Sequence, residues 1–533
     1  MHRRTVIRPS RHALVPALAA LALAAPLLGT PTSAAPADAV VEHSAPGASL
    51  ALVPLGAYET GLFDEAAAEI VAHYAAAQRL LVVSAAAGTV EVLDVADADD
   101  PVKLFDLVTA GVALADGSVI PEGAVANSVA VRADGLTVVA VEAPDKTDPG
   151  WLAFFDAAGE GTALGAVRVG SQPDMVTLTA DGDRAVVANE AEPAEDYSVD
   201  PEGSVSVVGL PDMVAAPTQA DVRTAGFHAY EGKRLPRGVR VYGGREDAGT
   251  GIPAYPVSEN LEPEYITVAG RFAYVTVQEA NAIAKVDLRS ARVVDLTALG
   301  TVARTRVPLD ASDEDGAIAL RTWPVRSFRL PDAIDSFVVG GRTYLVTANE
   351  GDTRDWEGYS EEVRVSDLGQ DGLAPVCPSV AARAGMTLDE LLSDENLGRL
   401  QVTTAQGLRA DGACYRTLYA FGGRGISVFD VRGRQVAGTG AQFERILAKA
   451  VPDYFNSDHG STAFDDRSDA KGPEPEGVVT GKRAWSPLRV RGSGAGGRRD
   501  VLRPDSSHDA AVRHLRQHPR LRRQRGGRPG SSR

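Results

Sequence analysis

The residues best equipped for chemistry stand in one run, "YLVTANEGDTRDW", residues 344–356. An apolar strand leads directly into Asn349, Glu350, Asp352, Arg354, Asp355 and Trp356. Carboxylates at that density suit a hard cation, because calcium takes about six to eight oxygens from Asp, Glu, Asn and backbone carbonyls. Arg354 suits a two-pronged contact with phosphate or carboxylate. Trp356 offers a stacking face or a cap, and Asp355 completes the ligand-binding candidates of this run. The same residue types also close loops through Asx-turns, which is a purely structural use.

The run is one version of a repeat. Related units begin at Gln172 ("QPDMVTLTADGDRAVVANEAEP"), Glu262 ("EPEYITVAGRFAYVTVQEAN"), Leu330 ("LPDAIDSFVVGGRTYLVTANEGD") and, more weakly, Ala126 ("ANSVAVRADGLTVVAVEAPD"). Each opens on Asp, Glu or Asn, passes through a strand, a Gly turn and a second strand, and ends in Glu. Asp174 and Glu190 are 16 positions apart, Glu264 and Glu279 15, Asp332 and Glu350 18, and Asn127 and Glu142 15. A further copy near the start carries Ala85 where the Glu would be. If the units are equivalent, their acids gather on one face. Glu190, Glu279, Glu350 and Asp352 are then the first metal-ligand candidates, with Asp174, Glu264 and Asp332 as the next tier.

The elements that must position these acids are short Val-rich strands such as "RLLVVSA", "TVEVLDV" and "GISVFDV", bounded by Gly, Asp or Asn. Repeated strand pairs of this size cannot bury both faces alone, so they stack as blades about an axis. The expected class is all-β, a β-propeller of six to eight blades with an incomplete last blade; a chain of β-sandwiches is the alternative. Helical periodicity is clearest in "MTLDELLSDENLGRL", with Thr387 and Glu390 as a capping box. It lies between Cys377 and Cys414, and residues 365–415 read as an insertion. In an exported chain the two cysteines either pair or remain thiols.

Charge divides the 533 residues. Residues 1–34 hold four Arg and no acid, residues 483–533 hold 14 Arg against three Asp, and residues 35–482 carry a net charge of -32. The acidic body excludes nucleic acid as its partner. Residues 1–34 read as a signal peptide, with a basic start, an apolar core and small residues before a cleavage after Ala34. No later stretch is long and apolar enough to span a bilayer, so the mature chain is expected to be secreted or at the cell surface. "NSDHGS", residues 456–461, is the one place where His stands among Ser and Asp, and it reads as a polar surface loop rather than part of a triad. G-x-S-x-G, P-loop and H-E-x-x-H motifs are absent.

The quoted repeats, together with "FDEAAAEIVAHYAAAQRLLVVSAAAGTVEVLDV" and "GPEPEGVVTG", resemble the choice-of-anchor I domain family, whose animal relatives are called mesenchyme-specific cell surface glycoproteins. The resemblance covers residues 48–482 and is most specific at "TANEGDTRDW". It implies a secreted or surface β-propeller whose C-terminus varies in its anchoring. Members are sometimes labelled alkaline phosphatase-like, but the resemblance carries no catalytic residue onto this chain. After Gly481 the sequence departs from the family, and residues 483–533 become rich in Arg, Gly, Pro and Ser. They read as a disordered tail, either a basic arm for anionic polymers or the product of a frameshift.

Three functional readings follow. The first is a binding module with an acidic, calcium-binding face for an extracellular protein, a glycan or a phosphorylated ligand. The second is a metal-dependent phosphoester hydrolase using the same mouth. The third is a scaffold without ligand.

Overall fold

The structure is a computed structural model that describes residues 55–61, 68–242, 257–458 and 463–481. The expected signal peptide (1–34), the basic tail (483–533) and His459 lie outside the described residues.

The chain folds as a β-propeller. The first sheet is formed by β1 (Val71–Tyr74), β2 (Arg79–Ser84), β3 (Thr89–Asp94) and β4 (Val102–Val108). The second is formed by β5 (Val125–Val131), β6 (Leu136–Glu142), β7 (Pro149–Asp156) and β8 (Thr162–Ser171). The third contains β9 (Pro173–Leu178), β10 (Arg184–Asn189), β11 (Ser204–Gly209) and β12 (Val222–Gly226). The fourth contains β13 (Pro263–Ala269), β14 (Phe272–Val277), β15 (Ala282–Asp287) and β16 (Arg292–Ala298). Each is an antiparallel meander. The chain then continues through β17 (Thr301–Ala303), β18 (Val325–Phe328), β19 (Ile334–Val339), β20 (Arg342–Asn349), β21 (Asp355–Trp356), β22 (Tyr359–Ser360), β23 (Glu362–Arg364), β24 (Gln401–Thr403), β25 (Leu418–Ala420), β26 (Gly425–Asp430) and β27 (Gln435–Gly438). Of these, β19, β20, β26 and β27 make the fifth four-stranded sheet. The first strands β1, β5, β9, β13 and β19 neighbour one another in that order, as inner strands about an axis must.

Period-two alternation explains the stacking. On β6, Val139 and Val141 join Leu81, Val92 and Phe155 in a cluster between the first and second sheets. The alternate residues Val138 and Ala140 join Phe154, Val176 and Val187 between the second and third. Val186, Val205 and Val275 bridge the third and fourth, and Tyr274, Ile283, Leu345 and Phe429 the fourth and fifth. Each fully buried Val, Leu or Phe contributes about 1.5–3 kcal/mol, so the blades hold one another rather than standing alone. The first hairpins turn at glycines such as Gly182 (φ 75°) and Gly270 (φ 62°), a backbone region that favours residues without Cβ.

Five four-stranded sheets lie among the described residues, fewer than the expected six to eight blades. Beyond β27 the chain forms a helix, Gln442–Ala450, and later runs along β19: Thr480 Oγ1 donates to the Ser336 carbonyl at 3.0 Å, and Val478 packs on Phe337, Val346 and Val428. That is where the first strand of another sheet would lie; the residues after 481, where an incomplete last blade is expected, are outside those described.

A further sheet sits apart from the blades, in the order β17, β18, β25, β24, β23, with β18 and β25 parallel. It draws strands from 301–328 and 362–420, a wider span than 365–415. Its own core includes Leu309, Trp323, Leu391, Leu400 and Tyr415. The helical expectation for 386–400 shrinks to one four-residue turn, Leu388–Leu391, with the Thr387–Glu390 capping box in place. Asn396 Nδ2 donates to the Glu390 carbonyl at 2.8 Å, which ends the turn, and Leu397 and Leu400 fold inward instead of extending it. Of "NSDHGS" only residues 456–458 are described; there Asn456 is buried rather than on the surface, and Ser457 and Asp458 are half-buried.

Cys377 and Cys414 are bonded, with Cα atoms 5.1 Å apart and 37 positions between them in sequence. A closed loop of that length restricts the unfolded chain, so replacing both cysteines by Ser is expected to lower stability by about 2–4 kcal/mol. Denaturant unfolding should show an earlier midpoint and a somewhat steeper slope, because the released unfolded chain exposes more surface; an unmoved midpoint would mean that the crosslink is energetically silent.

Candidate functional site

In an antiparallel hairpin the start of the first strand and the end of the second lie at the same end. The acids that open and close each unit therefore meet at the end opposite the Gly turn. A bulge sharpens this. Along β5 the pairing steps from Ala126 to Ser128 and leaves out Asn127, and along β9 it steps from Pro173 to Met175 and leaves out Asp174. Along β13 it shifts between Pro263 and Ile266, around Glu264. A bulged residue leaves the ladder and re-aims its side chain.

The result is a cavity of 360 Å³. Asp174, Glu190, Glu264, Glu279, Asp332 and Asp352 line it, joined by Arg354, Asp355 and Trp356. Glu350 stands beside it and accepts from Gln278 Nε2 at 2.8 Å. Glu142 lies further out, bonded to Asn127 Nδ2 at 2.9 Å. Glu192, Glu262, Gln278 and Thr353 also line the cavity and were not among the sequence candidates. Their signal was present in "ANEAEP" and "EPEY", where a second acid stands two positions from the first.

Nine carboxylates thus share the cavity with one guanidinium, that of Arg354. Arg354 is buried and committed inward: Nη2 donates to Glu262 at 2.7 Å and Nη1 to the Tyr197 hydroxyl at 3.2 Å. Behind it, Arg240 donates to the Glu279 carbonyl at 2.9 Å and pairs with buried Glu361, which also accepts from Tyr242. At the rim, Lys146 approaches Glu192 at 3.2 Å and lies 3.9 Å over the Trp356 ring, and Lys471 pairs with exposed Asp352. Oε2 of Glu264 and Oε2 of Glu279 are buried without a hydrogen-bond partner. Among the described residues, no three His, Cys, Asp or Glu side chains are gathered as tightly as one metal ion would hold them.

Withdrawal from water and mutual repulsion raise the most buried carboxyls above their ordinary range. Burial, then Glu192 and Glu142, lifts Asp174 to about 7. Burial lifts Glu279 to about 7, with Arg354 opposing it. Burial and then Asp352 lift Glu350 to about 7. Glu190, Glu262, Glu264 and Asp332 are pushed well up, in each case chiefly by burial.

A carboxyl raised by folding holds its proton more tightly in the fold. Its contribution to stability is complete below the unfolded value and is lost as the pH rises through the folded one. Without a cation, the chain is therefore expected to lose stability progressively from about pH 4 to about pH 7. Thermal unfolding in chelator across that range measures this. Glu279→Gln, which cannot ionise, should flatten the decline, and a midpoint that climbs with pH would contradict the electrostatics described.

No curated protein matches the chain. Similar solved structures include a β-propeller domain of Cps50 (Swd1) from Myceliophteria thermophila, at TM-score 0.29 and 9% identity over 51% of this chain and 64% of that one. A protein from Lactobacillus plantarum is similar at TM-score 0.31 and 14% identity over 53% and 64%. A functionally unknown protein from Desulfotomaculum acetoxidans is similar at TM-score 0.28 and 10% identity over 69% and 84%. The chain thus spans 64% of the length of the first two. No helix among the described residues is long and apolar enough to cross a membrane. Residues 69–492 match the choice-of-anchor I domain, and the chain belongs to that family.

Proposed function

We propose that the chain is a secreted or cell-surface binding module whose acidic cavity takes calcium and presents it to an extracellular ligand. The observation that carries this reading is the pair of buried, unpartnered oxygens on Glu264 and Glu279, in a cavity where acids outnumber bases nine to one. A buried polar atom without a partner costs about 1–3 kcal/mol, more if charged, and a cation removes that cost. All the donors are oxygens, with Gln278 and Thr353 as neutral ones. Calcium accepts such sets in irregular geometry, which suits acids spread round a wall rather than clenched at one point. Family membership supports an exported or surface setting, since the domain is defined by its varied anchors.

Binding is favoured over phosphoester hydrolysis by the state of Arg354. Its guanidinium is held by Glu262 and Tyr197, so the cavity lining offers no free guanidinium to a phosphate. A bound ion instead balances the wall and leaves coordination positions for a carboxylate, a sugar hydroxyl or a phosphate oxygen of a partner.

Terbium takes the same oxygen ligands and luminesces when an excited indole is close. Trp356 lines the cavity, so terbium luminescence excited through tryptophan should appear on titration, fall on adding calcium, and vanish in Trp356→Phe. It should also be lost in a Glu264→Gln/Glu279→Gln double variant that melts cooperatively. Luminescence that survives both changes, or is absent from the unaltered chain, would sink the proposal.

A further inference from the structure

A second group of oxygens lies outside the cavity, where the segment after the last helix meets the hairpin between β17 and β18. Asp310, Asn456 and Asp465 are each at most 2% exposed. Each has a side-chain oxygen with no hydrogen-bond partner: Oδ1 of Asp310, Oδ1 of Asn456 and Oδ2 of Asp465. The three belong to one network. The Ser468 hydroxyl donates to Asp465 and accepts from Asn456 Nδ2 at 2.8 Å. The Arg424 guanidinium donates to the carbonyl of Asp310 at 2.7 Å and to that of Ser468 at 2.7 Å. Neither carboxylate forms an ion pair among the described residues, because Arg424 meets Glu444 and Arg467 meets Glu474.

Burying one unpaired carboxylate is expensive, and burying two that repel each other is more so. Burial raises Asp465 most; the Ser468 hydroxyl opposes it, and repulsion from Asp310, Asp315 and Asp313 adds to it. Arg424 relieves Asp310 in part, while the other nearby bases are engaged elsewhere. Arg399 is taken by Asp313 at 2.8 Å, and Arg304 by the Ser327 hydroxyl and the Gly422 carbonyl. Asp310 Oδ2 accepts from the Ala319 N–H and Asp465 from the Ser468 hydroxyl, which leaves one free oxygen on each carboxylate and one on the Asn456 carboxamide, donors of the kind a hard divalent ion takes.

We propose that Asp310, Asp465 and Asn456 bind a calcium ion that fastens Asn456 and the chain at 463–469 to the hairpin between β17 and β18. The ion would also tie that segment to the extra sheet, since Gln401 N donates to the Asp469 carbonyl at 2.7 Å and Arg364 pairs with Asp469. Three protein oxygens leave the remaining positions to backbone carbonyls and water. The role is structural, and it stands independently of any ion in the cavity.

Calorimetric titration of calcium into the chelator-stripped full chain tests this. Asp310→Asn/Asp465→Asn keeps the side-chain shapes and removes both charges. It should bind one calcium fewer than the unaltered chain, while the terbium signal through Trp356 persists. A missing terbium signal in the unaltered chain, beside a calcium site that the double variant removes, would count against the cavity and support this second site. If the double variant does not fold, Asn456→Asp serves instead: a third carboxylate should tighten this site at least about tenfold. Calcium should also slow proteolytic cleavage within residues 463–469 in the unaltered chain. Undiminished stoichiometry in the folded double variant, or unchanged affinity in Asn456→Asp, would overturn the proposal.

Discussion

Carboxylates crowded together repel one another, most of all when taken out of water, and the propeller places nine, most of them withdrawn from solvent, round a single cavity with one guanidinium. Everything near the axis answers to that constraint. Arg354 neutralises Glu262, Gln278 reaches Glu350, and Gln172 reaches both Glu190 and Glu192. Lys146 and Lys471 guard the rim. These contacts leave Glu264 and Glu279 each with an unpartnered oxygen, so the site is held at a charge that only protons or cations can offset. Such an arrangement is unfavourable in itself, and it persists because the surrounding blades fix the strand ends that carry it.

Those blades draw their strength from alternation. One strand feeds two cores: Val138 and Val139 on β6 face opposite sheets and belong to different clusters. Because the second, third and fourth sheets are buried on both faces, none of them can shift without disturbing both neighbours. The acids ride on the hairpin ends of these locked strands, rather than on long loops, which keeps like charges close together that would otherwise separate.

Much of this was legible in the sequence because β-structure has a short period. Strand, Gly turn and strand can be counted directly, and antiparallel pairing then requires that residues 15–18 positions apart meet, as Asp174 and Glu190 do. Partners distant in sequence were not legible. Nothing local to Arg354 announces Glu262, which is 92 positions away, or Tyr197, which is 157 away. The parallel pairing of β18 with β25 joins segments separated by 90 residues that contain other elements, so 301–328 could not be assigned to the extra sheet from its own pattern. Asn456 reads as polar and therefore exposed, yet its burial comes from contacts with Ser468 that spacing alone does not reveal.

The four most deeply buried arginines show how the extra sheet is joined to the propeller. Arg240 and Arg354 lie under the cavity, while Arg304 and Arg424 lie between the extra sheet's strands and the chain leading into and out of the fifth blade. Arg424 alone meets Glu444 on the last helix and the carbonyls of Asp310, Ser468 and Ala470. A guanidinium with several donors can satisfy carbonyls from segments that share no regular pairing. The joint is therefore polar and directional, where the joints between blades are apolar. An apolar joint between irregular segments would permit many packings. A buried fork of donors permits few, so the segments that Arg424 joins tolerate little sliding.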